Sequence, residues 1–209
     1  MNKKGILLVV SGFSGAGKGT LMKELVRRYD NYALSVSATT RKPREGEENG
    51  REYFFKTVEE FEAMITREAL IEHACYVGNY YGTPRDYVEQ QLELGKDVIL
   101  EIEIQGALKV KERFPDTLLL FVTPPNAQVL QKRLTGRGTE SADVIAERLS
   151  RAGEEAEVIE KYDYFVINDD LDACVEHVHH IIQSEHSRVS RNEELVDAIR
   201  SELKEFQKG

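Results

Sequence analysis

The sequence predicts an α/β fold in which helices flank a parallel β-sheet. Short apolar runs recur along the chain, and segments with helical periodicity separate them, which is the alternation typical of this fold class. Most of the runs are apolar at every position, as expected for parallel strands that are covered on both faces. We predict core strands at residues 6–10, 32–37, 97–103, 118–122 and 164–167.

The helices predicted between these strands begin and end at capping signals. The first, at 18–29, follows a glycine-rich stretch. Thr83 and Pro84 open a later helix and Gly95 ends it, because proline is favoured in the first helical turn and glycine just beyond the last. Further helices are predicted at 106–114, 126–134, 141–161 and 172–184.

Two segments interrupt this alternation. The first contains a short helix with a capping box formed by Thr57 and Glu60, and we expect it to fold as a small α+β flap. Around that helix we predict a charged stretch, two strands and a loop, at 38–50, 53–55, 70–76 and 78–82. The second interruption begins after Pro124, is helical and carries several arginines, so a second flap is expected there.

The composition argues against several classes of protein. A chain of 209 residues can bury one sizeable core, so one domain with insertions is expected. The net charge of −9 argues against a protein that coats nucleic acid. No apolar run reaches membrane-spanning length, and the first residues lack the pattern of a cleavable signal. Cys75 and Cys174 lack zinc or disulfide spacing and are predicted to be core thiols, so we expect a cytoplasmic enzyme.

A glycine-rich stretch directly follows the first apolar run. Successive backbone N–H groups of such a loop can turn towards an anion, and Lys18 can reach the outer phosphates of a nucleotide. The spacing fits the Walker A pattern, except that Gly19 stands where Ser or Thr is usual and the hydroxyl comes at Thr20. We therefore predict an ATP site in which Thr20 binds magnesium directly or through water; the alternative is a glycine-rich turn without a ligand. The predicted ATP-binding loop consists of Gly12, Phe13, Ser14, Gly15, Ala16, Gly17, Lys18, Gly19 and Thr20.

Two carboxylates end the predicted strand at 97–103. Glu101 and Glu103 are two residues apart, so a strand would place them on the same face. In open α/β sheets, ligands bind beyond the carboxyl ends of the strands, where the glycine-rich loop also lies. We expect both carboxylates to face the ligand crevice. Either could instead be a structural partner for a nearby arginine.

The last two predicted helices carry apolar stripes. Three histidines, His177, His179 and His180, share the first of these helices with apolar residues that occupy its core face, so we predict that they are solvated and bind no metal. The final helix is predicted to start with a capping box of Ser190 and Glu193. Its stripe must be covered either by its own subunit or by a partner chain, and the pattern leaves both alternatives open. The stripe consists of Leu195, Val196, Ile199, Leu203 and Phe206.

The segment at residues 35–44, Ser-Val-Ser-Ala-Thr-Thr-Arg-Lys-Pro-Arg, closely resembles the GMP-binding segment of guanylate kinases. Further matches to that family follow in order, and together they span residues 5–184 and leave the tail at 185–209 outside. They lie at residues 50–55, 71–72, 78–82, 101–106, 133–138 and 167–170.

The resemblance implies an ATP:GMP phosphotransferase with the P-loop nucleoside monophosphate kinase fold. It implies ATP and GMP, and also dGMP, as substrates, and Mg²⁺ as the cofactor that accompanies ATP. The net charge and the short apolar runs predict neither nucleic acid nor membrane as a partner. A homo-oligomer through the last helix is one of the two ways to cover its stripe. The implied units are a core at 5–36, 84–123 and 161–184, a GMP-binding flap at about 37–83 and a lid at about 124–160, with hinges near Ser37, Thr83, Pro124 and Glu160.

The resemblance also implies roles for individual residues. Lys18 and the lid arginines Arg137 and Arg148, supported by Arg133, would stabilise the transferring phosphoryl group, and Asn168 would contact ATP. In the GMP site, the phosphate would be held by Arg41, Arg44, Tyr53 and Tyr81. Glu72 would accept two hydrogen bonds from guanine, and the remaining edge of guanine would be bound by Ser37 and Thr83.

Glu101 and Glu103 are the point at which the sequence departs from many members of the family, which carry aspartates there. The resemblance places both near the bound nucleoside, and Glu101, at the end of an apolar strand, near magnesium. Two other functions compete with the one implied. One is a kinase for another nucleoside monophosphate, such as an adenylate kinase, against which Glu72 and the segment 37–44 argue. The other is a guanylate-kinase-like module that binds peptides and has lost catalysis.

Overall fold

The computed structural model describes residues 4–76, 78–136 and 141–206. The strands are β1 Leu7–Gly12, β2 Tyr32–Leu34, β3 Ala38–Thr39, β4 Phe54–Phe55, β5 Leu70–Tyr76, β6 Asn79–Pro84, β7 Asp97–Glu101, β8 Leu118–Thr123 and β9 Tyr164–Ile167. The helices are α1 Lys18–Arg28, α2 Val58–Thr66, α3 Arg85–Glu93, α4 Ile104–Arg113, α5 Ala127–Thr135, α6 Ala142–Ala156, α7 Leu171–Glu185 and α8 Glu193–Phe206.

Five strands form a parallel core sheet in the order β2-β7-β1-β8-β9. Side chains of β1 alternate between the two faces of this sheet. Leu8 and Val10 pack with α1 and α7, whereas Val9 packs with α3 and α4, and all three side chains are fully buried. Because helices cover both faces, the central residues of these strands are apolar in succession, as in Leu8, Val9 and Val10 of β1. The α/β prediction is confirmed.

The inserted flap contains a second sheet, in the order β4-β3-β6-β5. The prediction of a loop at 78–82 is wrong, because these residues enter β6, which pairs antiparallel with β5. Gly78 has φ 73° at the turn, and Gly82 lies so close to its neighbour strand that an added Cβ would be 2.8 Å from the Glu72 carbonyl oxygen. The glycines that suggested a loop therefore permit a tight hairpin.

Several predicted boundaries are also corrected. Thr83 belongs to β6 and α3 begins only at Arg85, so Pro84 precedes the helix rather than starting it. β7 ends at Glu101, and Glu103 is the residue that precedes α4, so the two carboxylates do not share a strand face. The helix predicted at 141–161 ends at Ala156, and a separate 3₁₀ turn follows at Ile159–Lys161.

Of the two predicted capping boxes, the one at α2 is confirmed and the one at α8 is wrong. The capping box of α2 is confirmed, since Glu60 N donates to Thr57 Oγ1 at 3.1 Å and Thr57 N donates to Glu60 Oε2 at 2.8 Å. The box predicted for the last helix is wrong, because α8 begins at Glu193 and Ser190 lies inside the preceding 3₁₀ turn.

Two predictions about buried side chains need correction. Cys174 is buried as predicted, but Cys75 is exposed on the edge strand of the flap sheet. His177 and His180 are exposed as predicted, whereas His179 stacks on Tyr29 with ring centroids 3.7 Å apart. His179 faces the rim of the core because α7 packs directly against α1 there.

Candidate active site

The glycine-rich loop connects the end of β1 to the start of α1. Its glycines adopt backbone angles that other residues avoid, with φ 144° at Gly12 and 90° at Gly15 and Gly17. An added Cβ at Gly12 would lie 1.9 Å from the Val122 carbonyl oxygen, so β8 leaves no room for a side chain. The Lys18 Nζ donates to the carbonyl oxygens of Gly12 and Phe13 at 2.7 and 3.1 Å. The lysine is thus folded back over the loop that precedes it.

Three polar side chains from distant parts of the chain converge on this loop. Asn168, at the end of β9, donates from Nδ2 to the Ala16 carbonyl oxygen at 2.8 Å. Arg133 donates to the same oxygen at 3.3 Å and to the Asn168 carbonyl oxygen at 2.9 Å. Arg148, on α6, donates to the Ser14 hydroxyl. Arg137, the other arginine predicted for the site, lies outside the described residues.

Two adjoining cavities, each of about 350 Å³, lie at the carboxyl ends of the core strands. The first is the hollow of the glycine-rich loop, and Lys18 and Thr20 line it. The second lies between the core and the flap, and its walls include Ser37, Tyr53 and Thr83. The Glu101 side chain lines both cavities. A ligand in one cavity would therefore lie next to a ligand in the other.

Glu101 is an exposed residue that faces the two cavities, but the surrounding protein partly removes its carboxyl group from water. Desolvation raises the pKa of the Glu101 carboxyl above its usual value, and the nearby Lys18 ammonium partly offsets that rise. An added Cβ at Gly19 would lie 3.7 Å from both carboxylate oxygens. The carboxylate of Glu101 therefore lies beside the position at which the Walker A pattern has a hydroxyl.

Glu72 is held at the inner side of the flap. The buried Thr83 donates from Oγ1 to Glu72 Oε1 at 2.8 Å. Desolvation raises the pKa of the Glu72 carboxyl, and the Thr83 hydrogen bond opposes that rise. Oε2 lies 3.6 Å from the place that a Cβ on Gly106 would occupy, so the carboxylate lies next to the first turn of α4.

A cationic and aromatic cluster adjoins the second cavity, whose wall includes Tyr53. The Arg41 guanidinium is 5.2 Å from the centre of the Tyr53 ring, which is 6.1 Å from the Tyr81 ring. Arg44 lies nearby in an exposed position. Arg41 makes a bidentate ion pair with Glu47, and this pairing raises the pKa of Arg41 and lowers that of Glu47. The structure thus brings together three of the four residues predicted to hold a phosphate.

Glu103, the residue before α4, makes an ion pair with α6. Arg151 on α6 donates to Glu103 Oε2 at 2.8 Å, and its Nε lies 3.3 Å from Glu155 Oε1. Glu103 therefore has the structural arginine partner that the sequence analysis gave as an alternative. Neither cavity lining includes it.

The sequence analysis assigned no role to four residues of this region: Ser35, Glu47, Arg151 and Glu155. Arg151 is one of the arginines noted after Pro124, and its spacing of three from Arg148 places both on one helix face. Ser35 could have been found, because in an extended segment it shares a face with Ser37. Its buried hydroxyl has no hydrogen-bond partner among the described residues, and the residue lines the second cavity. In the sequence, no pattern distinguishes Glu47 from the other acidic residues of its loop.

The described residues contain no group of three or more His, Cys, Asp or Glu side chains that could hold a metal ion. Within the same residues, every helix is too short or too polar to cross a membrane.

Comparison with known proteins gives one consistent result. The family model described as guanylate kinase matches residues 4–185 of this chain. The guanylate kinase of Lactococcus lactis is 52% identical over 191 residues, which cover 91% of this chain and 93% of that protein. The guanylate kinase of Caldanaerobacter subterraneus is 50% identical over 202 residues, which cover 97% and 98%. The crystal structure of guanylate kinase from Anaplasma phagocytophilum matches with a TM-score of 0.71 at 31% identity and covers 91% of this chain and 90% of that chain.

Proposed function

We propose that this chain, which belongs to the guanylate kinase family, transfers the γ-phosphate of ATP to GMP and produces ADP and GDP. The observation that carries the proposal is the pair of adjoining cavities that share Glu101. One is built from a phosphate-binding loop, and the other lies beside side chains suited to a nucleoside monophosphate. Phosphoryl transfer requires two anionic ligands in such a side-by-side arrangement.

The glycine-rich loop is the proposed ATP site. Its backbone N–H groups and the N-terminus of α1 would bind the phosphates, and Lys18 would exchange its bonds to Gly12 and Phe13 for the outer phosphate oxygens. Asn168 and Arg133 support this role by fixing the Ala16 carbonyl, which sets the shape of the loop.

The donor side chains of the loop cavity fit a magnesium ion. Thr20 and Glu101 both line that cavity and supply oxygen atoms, which are the ligands that Mg²⁺ prefers. The proposed ligands are the Thr20 hydroxyl, directly or through water, and the Glu101 carboxylate. A bound Mg²⁺ would neutralise charge on the ATP phosphates.

The flap side of the second cavity is the proposed GMP site. Arg41, Arg44, Tyr53 and Tyr81 would bind the phosphate through charge-assisted and phenolic hydrogen bonds. Glu72 would accept from the ring N–H and the amino group of guanine, while Thr83 and Ser37 would bind the other edge of the base. Adenine has no hydrogen on the corresponding ring nitrogen, so its binding would leave one of the hydrogen bonds to the Glu72 carboxylate unmade.

In the proposed reaction, an oxygen of the GMP phosphate attacks the γ-phosphorus of ATP in line. The bond from that phosphorus to the oxygen that bridges to the β-phosphate breaks, and ADP leaves. Arg148 and Arg137 would stabilise the charge on the transferring group, with Arg133 in support. We further propose that the flap at 37–83 and the lid at 124–160 close over the core and exclude water, which would otherwise receive the phosphate.

The activity is tested by measuring ADP formation from Mg-ATP with GMP, dGMP, AMP, CMP and UMP supplied separately. Turnover with GMP and dGMP alone is the expected result. Turnover with AMP would favour a kinase for another monophosphate, and ATP binding without any turnover would favour the peptide-binding module.

Two further parts of the proposal concern the surroundings of the enzyme. Cys75 and Cys174 are free thiols, which suits the reducing cytoplasm that we propose as its location. Leu195, Ile199 and Leu203 of α8 are 53%, 47% and 56% exposed. We propose that a second copy of the chain covers them.

A further inference from the structure

The Arg41 guanidinium has one of its edges already occupied. Nη1 donates to Glu47 Oε2 at 3.0 Å, and Nη2 donates to Glu47 Oε1 at 2.9 Å. Nη1 also donates to the Lys42 carbonyl oxygen at 2.8 Å. Among the described residues, no group accepts a hydrogen bond from Arg41 Nε. The edge formed by Nε and the second N–H of Nη2 therefore keeps its two donors for a ligand.

Glu47 is itself fixed in place by its loop. Its Oε2 also accepts from Arg44 N at 2.8 Å, and Glu47 N donates to the Arg44 carbonyl oxygen at 3.1 Å. The Arg41 and Glu47 side chains are only 16% and 17% exposed. On its other sides the guanidinium lies 5.2 Å from the Tyr53 ring centre and 5.9 Å from that of Phe55. Glu47 and the two rings together set the plane of the guanidinium.

A carboxylate beside a phosphate site needs an explanation, because like charges repel and its presence alone would weaken the binding of a dianion. An arginine without fixed partners loses much side-chain freedom when it binds phosphate, and a partner that fixes it beforehand removes that loss. We propose that Glu47 is a positioning residue for the acceptor phosphate, which holds Arg41 so that its Nε edge receives two phosphate oxygens. This inference rests on the proposed function of the flap.

If Glu47 instead blocked the phosphate site, the expected effect of its removal on GMP binding would have the opposite sign. If Glu47 occupied the place of the phosphate and had to be displaced, its removal would strengthen GMP binding. Glu47→Gln separates the two roles, because the isosteric amide would direct its NH₂ group at a guanidinium donor. Positioning predicts that the Kd and KM for GMP rise about 10-fold, which is 1.4 kcal/mol. The kcat value and the KM for ATP should stay within about twofold.

The matched control is Glu45→Gln, which removes the same charge from an exposed position of the same loop. It should leave GMP binding unchanged. A 10-fold rise of the Kd in both variants would show that the effect does not depend on the contact between Glu47 and Arg41, and would overturn the proposal.

A double-mutant cycle with Arg41→Met shows whether Glu47 acts through Arg41. In the Arg41→Met background, Glu47→Gln should lower the Kd for GMP, because only the repulsion between carboxylate and phosphate remains to be removed. An equal rise in both backgrounds would indicate a merely structural role, and a fall in both would indicate displacement. Calorimetric GMP binding by the unmodified chain is measured alongside turnover. GMP binding without turnover would refute the proposed function alone, whereas no GMP binding would refute both.

Discussion

Replacing Glu72 by glutamine removes the proposed guanine acceptor while its shape is kept. The amide oxygen can still accept from Thr83 Oγ1, now 2.8 Å from Glu72 Oε1, but the NH₂ group would then meet a guanine donor. Two hydrogen bonds to a charged group are affected, each contributing about 1.5–3 kcal/mol. We therefore expect kcat/KM for GMP to fall about 10²–10⁴-fold, while the Kd for Mg-ATP changes less than about twofold.

The same substitution should not destabilise the fold. Burial raises the pKa of Glu72 in the folded chain, so its ionised form opposes folding once the pH exceeds the pKa of the unfolded chain. The neutral glutamine lacks this cost, and the Tm at pH 7 should be equal to or higher than that of the unmodified chain. Glu62→Gln, at an exposed position of the same flap, is the matched control. Equal losses for GMP and ATP, or unchanged GMP kinetics, would refute the guanine role.

Three more predictions follow from the site and the tail. Lys18→Ala should lower kcat about 10²–10³-fold, because a charge aimed at the transferring phosphoryl group is lost. Undiminished ADP formation would refute the assignment of the glycine-rich loop as the ATP site. As the pH falls through the raised pKa of Glu72, its carboxylate is protonated, so the KM for GMP should rise in a pH series, and Glu72→Gln should remove this dependence. If a second copy covers α8, the double variant Ile199→Asp and Leu203→Asp should lower the mass measured by light scattering to that of one chain without loss of the circular-dichroism signal, and an unchanged mass would refute it.

The core of this fold could be predicted because its strands are buried on both faces. The runs around Val9 and Leu120 are apolar at each position, and this pattern distinguishes them from the half-exposed strands of the flap. The loop glycines were equally predictable, because the positive φ of Gly15 and Gly17 leaves little choice of residue. Local requirements of this kind can be read from the sequence itself.

Contacts between one element and another could not be predicted in the same way. Tyr80 and Tyr81 form β6 because β5 offers a partner strand, and a glycine on each side concealed that pairing. Glu103 was expected either in the crevice or beside an arginine, and the arginine that it meets is Arg151, 48 residues away. Which arginine of a lid helix meets which carboxylate depends on packing between elements, and the spacing along the chain does not encode it.

The central claim is that the γ-phosphate passes directly from ATP to the GMP phosphate. The most direct test incubates the chain with GMP and Mg-ATP labelled at the γ-phosphorus, and then separates the nucleotides from inorganic phosphate. The proposed arrangement of the two cavities predicts that the label appears in the β-phosphate of GDP, with one GDP formed for each ADP. Label recovered in inorganic phosphate while GMP stays unchanged would contradict it.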